Sequence, residues 1–170
     1  MKYLNGSQEL VLTLRADSLN NIKWYVDAAF AVHPDFRSHT GMVMTMGKGG
    51  IINNSRKQKL NTDSSTTAEL IASHDSVKMI LWTKLFLEAQ GYGIKKNILY
   101  QDNTSTILLE QNGKKSSGKR TRHLNIRYFF LTDQVEKGHI SIEYCPTDDM
   151  LGDFMSKPQQ GKKFREFRKC

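Results

Sequence analysis

Four acidic residues stand where their side chains could meet. Asp27 interrupts Trp24-Tyr25-Val26-Asp27-Ala28-Ala29-Phe30, a β-branched and aromatic run that predicts a buried strand. Strands are depleted in Asp, and a buried carboxylate is costly unless it is paired or binds a metal. The plain alternative is a strand-edge Asp facing solvent. Glu69 falls in the first turn of an expected long helix, where Thr66 and Glu69 have the spacing of a capping box. Cap and ligand therefore compete for one side chain. Asp102 ends Asn97-Ile98-Leu99-Tyr100-Gln101-Asp102 and precedes Asn103-Thr104-Ser105. It can cap the next helix, or lie at the carboxyl end of a parallel strand, where such sheets gather functional groups. Asp153, in Gly152-Asp153-Phe154-Met155-Ser156-Lys157-Pro158, would alone be an exposed helical acid, with Asp148 and Asp149 as rivals.

Two strands and two helices could bring the four carboxylates to one end of a sheet. Bare carboxylates that close repel and raise one another's pKa, and divalent cations remove that problem. Oxygen-only ligands suit Mg²⁺, with Mn²⁺ as a substitute. Two such ions about 4 Å apart can clamp an attacking water and a leaving oxygen in a phosphoryl displacement.

The charge distribution points to a polyanion. Lys and Arg number 25 against 17 acids, a net charge of +8. Two segments hold the excess: 114–122, with Lys114, Lys115, Lys119, Arg120 and Arg122, and 157–169, with six bases and Glu166. The remainder is nearly balanced, with 14 bases and 16 acids. A concentrated basic charge suits nucleic acid, though short Lys/Arg runs also occur as solvated loops and tails.

The elements that must position these residues follow from periodicity. Residues 22–30, 39–47 and 50–60 read as three antiparallel strands joined by short turns. A helix is predicted from Ser65 to Ala89, with Leu70, Val77, Leu81 and Leu85 as its stripe. A strand at 97–102 and a helix of about ten residues ending near Gly113 come next. After the basic linker, Leu124, Tyr128, Leu131 and Val135 mark another helix, and 139–145 alternates as a strand. Pro146-Thr147-Asp148-Asp149 is expected to start a short last helix ended by Pro158. The order is α/β, with a mixed five-stranded sheet of three antiparallel and two parallel strands flanked by helices.

Other classes are set aside. No apolar run approaches the roughly 18 residues of a membrane span, and the N-terminus lacks a signal-peptide stretch. Two cysteines, Cys145 and Cys170, make no disulfide framework, and no Cys/His cluster has zinc spacing. A reducing, cytoplasmic setting and a monomeric domain are expected.

Five segments then carry a resemblance. Residues 25–41 (YVDAAFAVHPDFRSHTG), 64–72 (SSTTAELIA), 100–107 (YQDNTSTI), 121–131 (TRHLNIRYFFL) and 139–158 (HISIEYCPTDDMLGDFMSKP) run through nearly the whole chain. In order and spacing it resembles the ribonuclease H domain of copia-type LTR-retrotransposon polyproteins. Residues 1–20 resemble the end of the upstream reverse transcriptase region, 21–158 the RNase H domain, and 159–170 a basic tail.

The resemblance implies an RNase H-like fold and an endonuclease that hydrolyses the RNA strand of RNA/DNA hybrids. It implies two Mg²⁺ ions, 5′-phosphate and 3′-hydroxyl products, and an upstream reverse transcriptase domain as partner. In the intact element the setting would be a virus-like particle. The family's four acids match Asp27, Glu69, Asp102 and Asp153. Substrate contacts are expected from Asn103 and Ser105, whose alternative is local capping, and from Lys114, Lys115, Lys119, Arg120 and Arg122. Departures are Phe30 where the family usually has Trp, Thr67 and Leu70 in the first helix, and Gln101 before Asp102-Asn103. Cellular relatives carry a His on the loop before the last acid, and no His lies between Pro146 and Asp149; His123 is a weaker candidate than its alternative as a helix-start residue. A non-catalytic hybrid-binding module and an integrase-like core are the rivals; the four acids in register speak against the first, and Glu69 in the first helix against the second.

Overall fold

The structure, a computed structural model, describes residues 5–112 and 125–168. The β-branched and alternating segments of the first half form the strands that their side chains favour. These are β1 (Arg15–Ala16), β2 (Asn21–Ala29), β3 (Arg37–Thr45), β4 (Gly47–Lys48) and β5 (Ile52–Asn61). Helix α1 (Ser65–Ala89) leads to β6 (Lys96–Gln101), α2 (Thr104–Asn112), α3 (Asn125–Glu136) and β7 (Ser141–Tyr144), and the chain continues through α4 (Asp153–Ser156) and α5 (Gly161–Phe167).

Five strands form one sheet in the order β5-β3-β2-β6-β7, antiparallel through β5, β3 and β2 and parallel through β2, β6 and β7. This is the mixed sheet expected from the element order. β2 is central, so Trp24 and Val26 are fully buried, and β3 is covered on both faces instead of alternating. The Trp24 indole donates to Asn97 Oδ1 at 3.0 Å, and the Asn97 amide donates to the His139 carbonyl, which ties β2 to β6 and the approach to β7.

Helix α1 buries one face from Thr67 to Thr83. Leu70, Val77 and Ile80 are fully buried, whereas Leu81 is half-buried and Leu85 is 59% exposed. The expected stripe therefore departs from the true one beyond Val77, because the buried face continues through Ile80, Thr83 and Leu87 and leaves Leu85 outside it. The last short helix also differs from expectation. Pro146–Asp149 forms a turn closed by the Asp149 N–H on the Pro146 carbonyl at 2.9 Å, and the helix itself begins at Asp153.

Two regions outside the expected domain, 21–158, are ordered against it. Arg15–Ala16 pairs with Gly47–Lys48, and Gly161–Phe167 forms α5. Phe164 and Phe167 of α5 pack on Phe154, with centroids 5.5 and 6.5 Å away. Among the described residues no helix is long and apolar enough to cross a membrane. The basic linker, with Lys114, Lys115, Lys119, Arg120 and Arg122, and His123 lie outside the described residues.

Candidate metal centre

Local capping decides which acids are free. Ser64, not Thr66, caps α1: its Oγ accepts the Thr67 N–H at 3.1 Å. The cap thus falls two positions before the expected capping box, and Glu69 is released to face the sheet. Asn103 likewise takes the cap of α2, its Oδ1 accepting the N–H groups of Ser105 and Thr106 at 3.0 and 3.2 Å. Asn103 thereby takes the capping role open to it, with Ser105 taking part through its backbone N–H. That frees Asp102, which instead accepts a hydrogen bond from the Thr147 hydroxyl at 2.9 Å.

Asp27, Glu69 and Asp102 converge. Each offers a carboxylate oxygen within 4.8 Å of the others. Asp27 and Glu69 are buried and Asp102 is half-buried. Glu69 Oε1 accepts the Ala28 N–H at 3.1 Å, which fixes the carboxyl beside β2. Its Oε2 is buried without a hydrogen-bond partner. An unpaired carboxylate oxygen among two other acids costs free energy unless something cationic joins it. Burial, with the Asp27 charge next, pushes Glu69 well above the usual carboxylate range. Burial also raises Asp27, against the lowering effects of Ser156 and Lys157. An all-oxygen donor set of this kind fits a hard divalent cation such as Mg²⁺.

Asp153 meets the cluster on its far side. Helix α4 reaches Asp27 because two glycines let backbones touch. A Cβ on Gly41, which pairs with Asp27 across β2–β3, would lie 2.3 Å from the Gly152 carbonyl. A Cβ on Gly152 would lie 3.0 Å from both Asp27 N and Asp27 Cβ. Asp153, 2% exposed, is directed at two ammonium groups: Oδ1 takes Lys157 Nζ at 2.6 Å and Oδ2 takes Lys163 Nζ at 2.7 Å. Burial raises its pKa, but these two hydrogen bonds and charges outweigh it and leave Asp153 below the ordinary range. Lys157 also reaches both Asp27 oxygens at 3.2 Å, and Ser156 Oγ donates to Asp27 Oδ2. Burial opposes the Lys157 charge, yet Asp153 and Asp27 raise its pKa above the usual lysine value.

The structure thus joins three of the four expected acids directly and links the fourth through lysine. Ser156, Lys157 and Lys163 were not anticipated as site residues. Asp153 and Lys157 have the i,i+4 spacing of a helical ion pair, which was the available signal.

Comparison with known proteins places the chain. It is 32% identical over 144 residues, 84% of its length, to the retrovirus-related Pol polyprotein from transposon TNT 1-94 of Nicotiana tabacum. It is 28% identical over 98% of its length to the Pol polyprotein from transposon RE1 of Arabidopsis thaliana. The Ty1-DR5 Gag-Pol polyprotein of Saccharomyces cerevisiae matches at 28% over 82% of the chain. The chain spans only 11%, 11% and 8% of these polyproteins. No family model matches. Among solved structures, LC11-RNase H1 in complex with RNA/DNA hybrid superposes with a TM-score of 0.56 at 12% identity, covering 79% of this chain and 93% of that one. The prototype foamy virus protease-reverse transcriptase superposes with a TM-score of 0.51 at 14% identity, over 79% of this chain and 19% of that one. The shared feature is the RNase H fold.

Proposed function

The chain is an RNase H-fold relative of copia-type retrotransposon Pol polyproteins, and on that premise we propose that it hydrolyses the RNA strand of RNA/DNA hybrids using divalent cations. The observation that carries this reading is the convergence of Asp27, Glu69 and Asp102 around the unpartnered Glu69 Oε2. What supports the reading is the combination: an unpartnered Glu69 oxygen with two further acids gathered beside it offers donors to an ion.

In this reading Asp27, Glu69 and Asp102 hold one ion, and Asp27 and Asp153 hold a second, with Mg²⁺ physiological and Mn²⁺ able to replace it. Bound there, the ions supply charge to a phosphodiester oxygen and to the departing group, the general role of paired ions in phosphoryl transfer. Asp27 would serve both positions, since it lies in the three-acid cluster and shares Lys157 with Asp153. Glu69 is pinned by Ala28 and Asp102 by Thr147, so neither needs to reorganise as the substrate arrives. Ser156 orients Asp27. The products are 5′-phosphate and 3′-hydroxyl ends. The hybrid is held by the basic linker, and the upstream reverse transcriptase of the polyprotein is the natural partner. The foamy virus protease-reverse transcriptase, which contains this fold, and the hybrid-bound LC11-RNase H1 support that assignment.

The test is cleavage of a hybrid labelled on its RNA strand, in Mg²⁺ and in chelator. Metal-dependent scission of RNA, with DNA intact and RNA alone uncut, is expected from the wild-type chain. Tight hybrid binding without scission would instead favour a non-catalytic module.

A further inference from the structure

Asp27 and Asp153 are bridged by a cation that the chain itself carries. Lys157 Nζ lies 2.6 Å from Asp153 Oδ1 and 3.2 Å from both Asp27 oxygens. Both acids are almost fully buried, while the lysine side chain is 38% exposed. Lys163, from α5, closes the other Asp153 oxygen at 2.7 Å and anchors on the Thr147 carbonyl at 2.9 Å. Asp153 accordingly does not join the three acids whose oxygens gather for a cation.

We infer that Lys157 is a tethered cation that occupies the Asp27–Asp153 position and must be displaced before a divalent ion binds between these two acids. The inference rests on the metal-dependent reading above and adds an asymmetry to it. Of the two positions, Asp27–Glu69–Asp102 has a buried oxygen with no partner, so an ion enters without breaking a hydrogen bond at Glu69 Oε2. The Asp27–Asp153 position already has its charge balanced, and an ion there must outcompete an ammonium group held by two carboxylates. Lys157 is suited to leaving, because a four-carbon stem that is partly in solvent can swing outward without opening the core. Lys163 remains on Asp153 and keeps the carboxyl in place while this happens. Filling of the two positions is therefore ordered, with the Glu69 side first.

Titration of the intact chain with Mn²⁺, followed by calorimetry, tests the inference without relying on turnover. Wild-type protein should bind one ion readily and a second weakly. Lys157→Met, which keeps the stem and removes the charge, should tighten the second event by about tenfold or more, the scale of losing a buried-pair competitor, and by more than it changes the first. Lys157→Arg, which keeps the charge, should retain the weak second event. In chelator Lys157→Met should melt below wild type, since two buried acids lose their cation, and excess Mn²⁺ should restore it. That recovery also establishes that the variant folds. An unchanged second event in Lys157→Met, with the first intact, overturns the tethered-cation proposal alone. If no folded variant binds any ion, the metal-dependent reading itself fails and the proposal with it.

Discussion

Glu69 on α1 accepts the backbone N–H of Ala28 on β2 at 3.1 Å, so the first turns of the helix are tied to the residue beside Asp27. The bond spans 41 residues of sequence and has one function that a local reading cannot supply: it turns a helix-start acid into a tertiary one. Only Oε1 is used, and Oε2 is left buried toward Asp27 and Asp102.

Glu69→Gln separates these two uses. The Gln Oε1 can still accept from Ala28, and removing a buried charge whose pKa is pushed up relieves repulsion. Thermal melts in chelator should therefore be equal to or above wild type at neutral pH, while Mg²⁺-dependent cleavage falls by two orders of magnitude or more, roughly what losing a catalytic electrostatic group costs. A lowered melting temperature with cleavage retained would mean that Glu69 is structural.

Asp27→Asn and Asp102→Asn test the cluster by linkage instead of turnover. An ion that binds only the folded protein raises the melting temperature with concentration; 100-fold excess over Kd is worth about 2.7 kcal/mol. Scanning calorimetry at increasing Mg²⁺ should show that rise in the wild type and not in either variant. A full rise in Asp102→Asn would remove Asp102 from the ligand set.

Much of this arrangement was readable before any coordinates, and the failures have physical causes. The strands around Asp27 and Asp102 and the span of α1 follow from apolar periodicity, which tertiary packing reinforces here. The caps fall two positions and one position from the residues that spacing favours, because Ser64 and Thr66, or Asp102 and Asn103, have equivalent side-chain chemistry; only backbone angles choose between them. Leu85 belongs to the apolar stripe in sequence, yet the buried face runs through Thr83 and Leu87 and passes it by. Helix α5 was hidden in a lysine-rich tail, although Phe164 and Phe167 have the i,i+3 spacing of one helical face. The Lys157 bridge requires knowing that α4 touches β2, and that contact depends on Gly41 and Gly152, whose significance no local pattern reveals.

Gly152→Ala should accordingly be more damaging than an ordinary loop change. The added Cβ would stand 3.0 Å from Asp27 N and Asp27 Cβ and 3.1 Å from the Tyr25 carbonyl, on a strand that cannot move. Overpacking of this kind costs about 1–3 kcal/mol. Urea melts should show that loss, and Mn²⁺ titration should show weakened binding, because α4 and Asp153 are pushed from Asp27. Gly93→Ala, where a Cβ meets nothing within 4 Å, is the control and should be near neutral.

Glu110 provides a pH signature away from the metal centre. It is fully buried on α2, and burial lifts its pKa to about 8, against a small lowering from Ser73. A raised folded-state carboxyl binds its proton more tightly than the unfolded chain does. Its stabilising contribution is thus complete below the ordinary value near 4.5 and is lost as pH rises through about 8. Asp27 and Glu69, also raised, slope the same way, so the difference between variants is the clean measurement. Glu110→Gln should match wild type at pH 5 and melt higher at pH 8.5. Parallel curves across that window would mean that Glu110 is ionised in the folded protein.

The basic linker bears on substrate affinity. Lys114, Lys115, Lys119, Arg120 and Arg122 place five positive charges in nine residues beside Gly113 and Gly118. Charge at that density, without an acid, suits a phosphate backbone, and phosphate contacts position a duplex without reading its sequence. Each contact releases counterions and adds roughly one unit to the slope of log affinity against log salt. The triple variant Lys114→Ala, Lys115→Ala and Lys119→Ala should therefore bind every hybrid sequence more weakly and lose about two to three units of that slope. Turnover at saturating hybrid should change little, because the four carboxylates are untouched. Fluorescence anisotropy across a salt series measures the slope directly. An unchanged slope would assign the linker to solvent and move the phosphate contacts to the second basic segment, where Lys162, Arg165 and Arg168 lie on or beside α5.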